Sequence, residues 1–152
     1  MKALKKIGIG LILLPFILIV IYILFELVGM CVNHISTDRQ TDKLQSTLSA
    51  AVSDIDIINA ESWTGNTGNG NHVECVSEVT FTSAMGVEDI AAAFSDKNDR
   101  DVSESYMGAE GSYFLVYEDK GISSVRFSIN ENGNCLCRMV KSAPFSDNIE
   151  GH

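Results

Sequence analysis

Residues Ile7–Phe25, IGIGLILLPFILIVIYILF, form an unbroken run of 19 residues without a charge. At a helical rise of about 1.5 Å per residue the run is about 28 Å long, close to the hydrocarbon thickness of a bilayer. A lone segment in lipid must satisfy its own backbone hydrogen bonds, and a helix does so. Pro15 should bend that helix, and Gly8 and Gly10 weaken its first turn. Tyr22 and Phe25 suit the far interface, where Glu26 also falls.

Orientation follows from the flanks. Lys2, Lys5 and Lys6 precede the run. Positive charge stays on the cytoplasmic side, so residues 1–6 read as a cytoplasmic basic tail and 7–27 as an uncleaved signal anchor. The expected location is the cell membrane, single-pass, with the following domain extracytoplasmic. A cleaved signal peptide is the rival, but its apolar core is usually shorter and VGMCVN at 28–33 lacks a small-x-small site. Cys31 invites a lipoprotein reading, against which Met30 stands where a small residue belongs.

The rest of the chain is acidic. The whole carries −9. From residue 36 onward there are 8 basic and 19 acidic residues, a net of −11. Such a domain disfavours nucleic acid and anionic surfaces, and it suits a basic partner or simple solubility. About 110 residues are enough for one core.

Hydrophobic patterning predicts an α+β domain over 37–142, before a polar, frayed tail at 143–152; the residues ahead of it, ELVGMCVNHIS, either continue the helix or form a short stalk at 28–36. Ser36 or Thr37 can cap a helix running to about Val52, with Leu44, Leu48 and Ala51 on its apolar stripe. Alternation suggests a strand over 54–62 and, most clearly, another over His72–Thr82. There Val73, Cys75, Val79 and Phe81 face one way, and Glu74, Glu78, Thr80 and Thr82 the other. Val87, Ile90, Ala91 and Phe94 mark a short helix. Residues 95–111 read as a polar surface loop. Strands follow at Ser112–Tyr117, Ile122–Ile129 and Cys135–Val140, with turns at EDKG and NENGN. Arg126, Ser124 and Ser128 point outward from their strand. The expected architecture is a two-layer domain, a mostly antiparallel sheet of about five strands with two helices on one face.

Four cysteines fit an extracytoplasmic compartment without demanding disulfides. Cys75 could bond to Cys135 or Cys137 if their strands are neighbours, and Cys137 is preferred. The alternative is three small buried thiols. Cys135 and Cys137 stand too close along one strand to bridge each other without strain.

The stretch WTGNTGNGNH at 63–72 is the most unusual local sequence. Trp63 is the only tryptophan. Beside a loop rich in Gly and Asn it could anchor a partner, with Asn66, Asn69, Asn71 and His72 hydrogen-bonding a glycan or peptide backbone. The plainer reading, and the preferred one, is that Trp63 packs over the hairpin end and the loop simply turns. The loop has no carboxylate to hold calcium. His72 and Glu74 share a strand face, but no third metal ligand is identifiable.

No GxSxG, HExxH, P-loop or GxGxxG pattern occurs, and the residues call for no cofactor. The sequence therefore points to a membrane-anchored interaction module with a protein or envelope partner. A subunit of a membrane complex, or an enzyme whose site assembles only in the fold, are the alternatives.

Overall fold

The computed structural model describes residues 2–68, 70, 72–98, 100–118 and 123–151, with side chains from residue 12 onward. Its first element is one helix, α1, running without a break over Lys2–Ala51 and including Pro15. The apolar run and the first helix of the domain are therefore the same element. Of the two readings of the segment before residue 37, continuation of the helix holds and the stalk at 28–36 does not form: Ser36 and Thr37 lie inside the helix and cap nothing. Thr37 instead donates its hydroxyl back to the Asn33 carbonyl at 3.0 Å.

One residue in every turn of the upper helix turns inward. Glu26, Gly29, Asn33, Thr37, Thr41, Leu44 and Leu48 are buried at spacings of three and four, the period of one helical face. Only the last turns of this stripe are apolar.

The sheet has six antiparallel strands: β1 Asp56–Gly65, β2 Glu74–Thr82, β3 Glu104–Met107, β4 Tyr113–Tyr117, β5 Ser123–Ile129 and β6 Cys135–Ser142, in the order β1-β2-β6-β5-β4-β3. A second helix, α2 Val87–Lys97, follows β2. The fold is α+β, with both helices on one sheet face. Leu44 and Leu48 of α1 and Ile90 and Phe94 of α2 pack with Val79, Phe81, Leu115, Val125, Phe127 and Cys137.

Two expectations for the strands change. The sheet has a sixth strand, β3, in the segment read as loop. All four of its residues are exposed, and it occupies an edge, so no alternation marks it. Trp63 lies within β1, which carries a bulge between Ile57 and Asn59. The NENGN turn forms as read, with Gly133 at φ 78. The turn residues 119–122 lie outside the described residues.

The tail is ordered. Ala143 and Ser146 pair with the backbone of Val73, and the chain then crosses α1. Asn33 Nδ2 donates to the Phe145 carbonyl at 3.0 Å, and the Phe145 amide donates to Asn33 Oδ1 at 2.9 Å. Lower down, Asn148 Nδ2 and the Ile149 amide donate to the Glu26 carboxylate at 2.8 and 3.0 Å. Glu26 is left 8% exposed. Gly29 makes room for this crossing, because a Cβ there would come 2.7 Å from Asn148 Nδ2.

The proposed Cys75–Cys137 bridge is not formed, and all four cysteines are free thiols. The two residues face the same layer, but Cys137 pairs with Val79 and Cys75 with Lys141. Four residues of strand, about 13 Å, separate them, well beyond the reach of a disulfide.

Candidate functional site

The described residues of the 63–72 stretch do not converge on one point. Asn66 Nδ2 donates to the Gly70 carbonyl and, at 3.1 Å, to the Gly151 carbonyl, while its Oδ1 accepts from the Gly68 amide at 2.7 Å. His72 Nδ1 lies 3.1 Å from Asp147 Oδ1. Both side chains thus tie the loop to the tail. The tail in turn grips α1 at Glu26, so the loop lies at the end of the domain nearest the apolar run. Asn69 and Asn71 lie outside the described residues. Glu74 accepts from the Thr67 hydroxyl and does not meet His72.

The same end holds a second histidine. His34 Nε2 lies 2.7 Å from Glu150 Oε1, and its Nδ1 is 3.3 Å from the Thr64 hydroxyl. Among the described residues no three His, Cys, Asp or Glu side chains converge to hold a metal.

Trp63 goes elsewhere. It opposes Val76 on the sheet face away from the helices, and is 38% exposed. The Arg138 guanidinium stands 5.4 Å from its ring centre, a cation–π distance. That face carries a row crossing every strand. Pair by pair, Glu61 opposes Glu78, Glu78 opposes Arg138, Arg138 opposes Arg126, Arg126 opposes Phe114, and Phe114 opposes Tyr106. Two acids, two arginines and two aromatics therefore stand in sequence from one sheet edge to the other.

Contacts along the row are specific. Arg138 Nε lies 3.4 Å from Glu78 Oε1. The Arg126 guanidinium sits 5.6 Å from the Phe114 ring centre, and the Phe114 and Tyr106 rings stack at 5.1 Å. Like charges directly opposite each other on a sheet are unfavourable, and both the Glu61–Glu78 and Arg126–Arg138 pairs have this arrangement. Arg126 Nε has no hydrogen-bond partner among the described residues. The row can offer a bound group two guanidinium donors beside an aromatic platform.

The thiols offer no comparable chemistry. Cys137 is buried beneath the helices, and burial pushes its thiol well above the usual range. Burial raises Cys135 too, helped by the charge of Asp54. A neutral thiol is a poor nucleophile. Cys75 is buried against the Asn33 carbonyl, and Cys31 alone is exposed.

Sequence reading placed Arg126 outward but could not pair it with Arg138 or Phe114, because strand order fixes those neighbours. Tyr106 was hidden in the segment read as loop. Helix α1 is long and apolar enough over its first half to cross a membrane. Comparison with protein-family models, with curated proteins and with solved structures returned no match.

Proposed function

We propose that this chain is a membrane-anchored, extracytoplasmic interaction module and not an enzyme, and that it meets its partner on the open sheet face. The supporting observation is the cross-strand row from Glu61 to Tyr106. A folded domain gains little from opposing arginines on a solvated face, whereas a partner carboxylate placed between Arg126 and Arg138 would relieve their repulsion and take charge-assisted hydrogen bonds. Phe114, Tyr106 and Trp63 supply the flat apolar area typical of binding hot spots. The partner is a protein segment with a carboxylate beside an apolar side chain. Lys2, Lys5 and Lys6, ahead of the apolar run, support the outward orientation.

Photo-crosslinking in cells tests this reading. A crosslinker at Ser128, on the outer face, should trap a defined partner that Arg126→Glu loses. No adduct from Ser128, or one unchanged by Arg126→Glu, would sink it. Orientation is read in a Cys31→Ser background carrying Asn132→Cys. A maleimide that cannot cross membranes should label that thiol in intact cells.

A further inference from the structure

The acidic domain gathers positive charge at a second place, on the helix side. Between α1, the end of α2 and β6 lies a cavity of about 230 Å³ floored by Leu44, Phe94 and Met139. Arg39, Lys43, Arg100 and Lys141 rim it, half of the 8 basic residues from residue 36 onward. The described lining contains no carboxylate. Lys43 and Arg100 have partners of their own. Arg100 Nη1 donates to the Ser123 hydroxyl at 2.6 Å, and its guanidinium lies 4.8 Å from the Tyr117 ring centre. Those contacts fix where its charge points. Arg39 and Lys141 form no ion pair among the described residues, so theirs is the charge open to a ligand.

The cavity continues toward the apolar run. It shares Ser36 and Arg39 with a second hollow of about 390 Å³, whose other walls are Val32, Ile35 and Pro144. Val32 and Ile35 are exposed. At about 1.5 Å per residue, Val32 stands about 10 Å and Arg39 about 21 Å beyond Phe25 along the helix. One groove thus runs from an apolar foot near the bilayer to a cationic head. That order of chemistry matches a phospholipid standing partly out of its leaflet.

We infer that this groove holds a single anionic phospholipid. Its phosphate lies between Arg39 and Lys141, where guanidinium and ammonium groups suit a phosphate. An acyl chain lies over Val32, Ile35 and Pro144. The surrounding domain repels an anionic surface as a whole, so the capture is of one molecule at one place and saturates at one per chain. The inference rests on α1 spanning the bilayer but not on the sheet-face partner. Resistance of the full chain to carbonate extraction from membranes reads the span separately.

The test is native mass spectrometry of the full-length protein in zwitterionic detergent. The probes are dioctanoyl phosphatidic acid, dioctanoyl phosphatidylcholine and inorganic phosphate. One phosphatidic acid should bind per chain, at least tenfold more tightly than either other probe. Arg39→Glu with Lys141→Glu should cost at least tenfold, while Arg39→Lys with Lys141→Arg retains binding. Equal binding of the two lipids, or indifference to the charge reversal, overturns the proposal. Inorganic phosphate binding as tightly as phosphatidic acid makes the site one for free phosphate and overturns the lipid source. Should the charge-reversed protein fail to fold, the wild type at low and high salt decides. Phosphatidic acid binding that ignores salt overturns the inference.

Discussion

The two faces of the sheet are built from the same strands to opposite ends. On the inner face Val79, Phe81, Leu115, Val125, Phe127 and Cys137 are fully or nearly fully buried under α1 and α2. On the outer face the neighbouring residues of the same strands make the row Glu61, Glu78, Arg138, Arg126, Phe114 and Tyr106. The inner face spends its residues on exclusion of water. The outer face keeps charge and aromatic area in reach of solvent, with like charges opposed. A single alternation of side chains therefore separates a layer that stabilises from a layer available for recognition.

Substitution at adjacent residues of β2 should expose that contrast most strongly. Phe81→Ala removes a fully buried ring and should cost about 3–5 kcal/mol of stability. Thr80→Ala, one residue away on the outer face, should stay within about 0.5 kcal/mol. Chemical denaturation of the full chain in detergent measures both, and comparable losses would erase the distinction.

Thiol chemistry draws the same line kinetically. Cys31 is exposed and should alkylate at once, whereas Cys137 should react only on unfolding. Because the folded-state value of Cys137 is raised, its contribution to stability is complete below the ordinary thiol value. That contribution is lost as pH rises beyond it. Unfolding midpoints that fall through the alkaline range in the wild type, and fall less in Cys137→Ala, would bear this out.

The smallest effect belongs to the outer face. Arg126→Gln relieves the opposed arginines but gives up the guanidinium contact with the Phe114 ring, so it should change the stability of the full chain by less than about 1 kcal/mol, even as it weakens partner capture. A clear loss of stability would mean that Arg126 serves the fold, and the case for the row as a recognition surface would fall with it.

This contrast also marks what the sequence could show. The inner face follows from alternation, because Val79, Phe81, Val125 and Phe127 repeat at every second residue. Strand β3 leaves no such trace, since an edge strand exposed on both sides needs no apolar period. The lower part of the buried α1 stripe is equally silent. Glu26, Gly29, Asn33, Thr37 and Thr41 are polar or small, and hydrophobic periodicity cannot register them. For the same reason the tail read as frayed: its hold on α1 comes from the amides of Asn33 and Asn148 and the carboxylate of Glu26. The Trp63–His72 stretch was visible as unusual composition. What divided it between the sheet face and the tail was strand register, which depends on partners far along the chain.

The unbroken helix fixes a compass bearing as well as a height. Each residue of α1 turns the chain by about 100°, and the tail clamps the domain to particular turns of it at Glu26 and Asn33. If α1 spans the bilayer as proposed, the direction in which the sheet face looks is set by its phase on that helix. One residue inserted between Phe16 and Tyr22 would leave the clamp at Glu26 and Asn33 intact. It would nonetheless swing the recognition surface about a quarter turn relative to any neighbour that grips the span from the side.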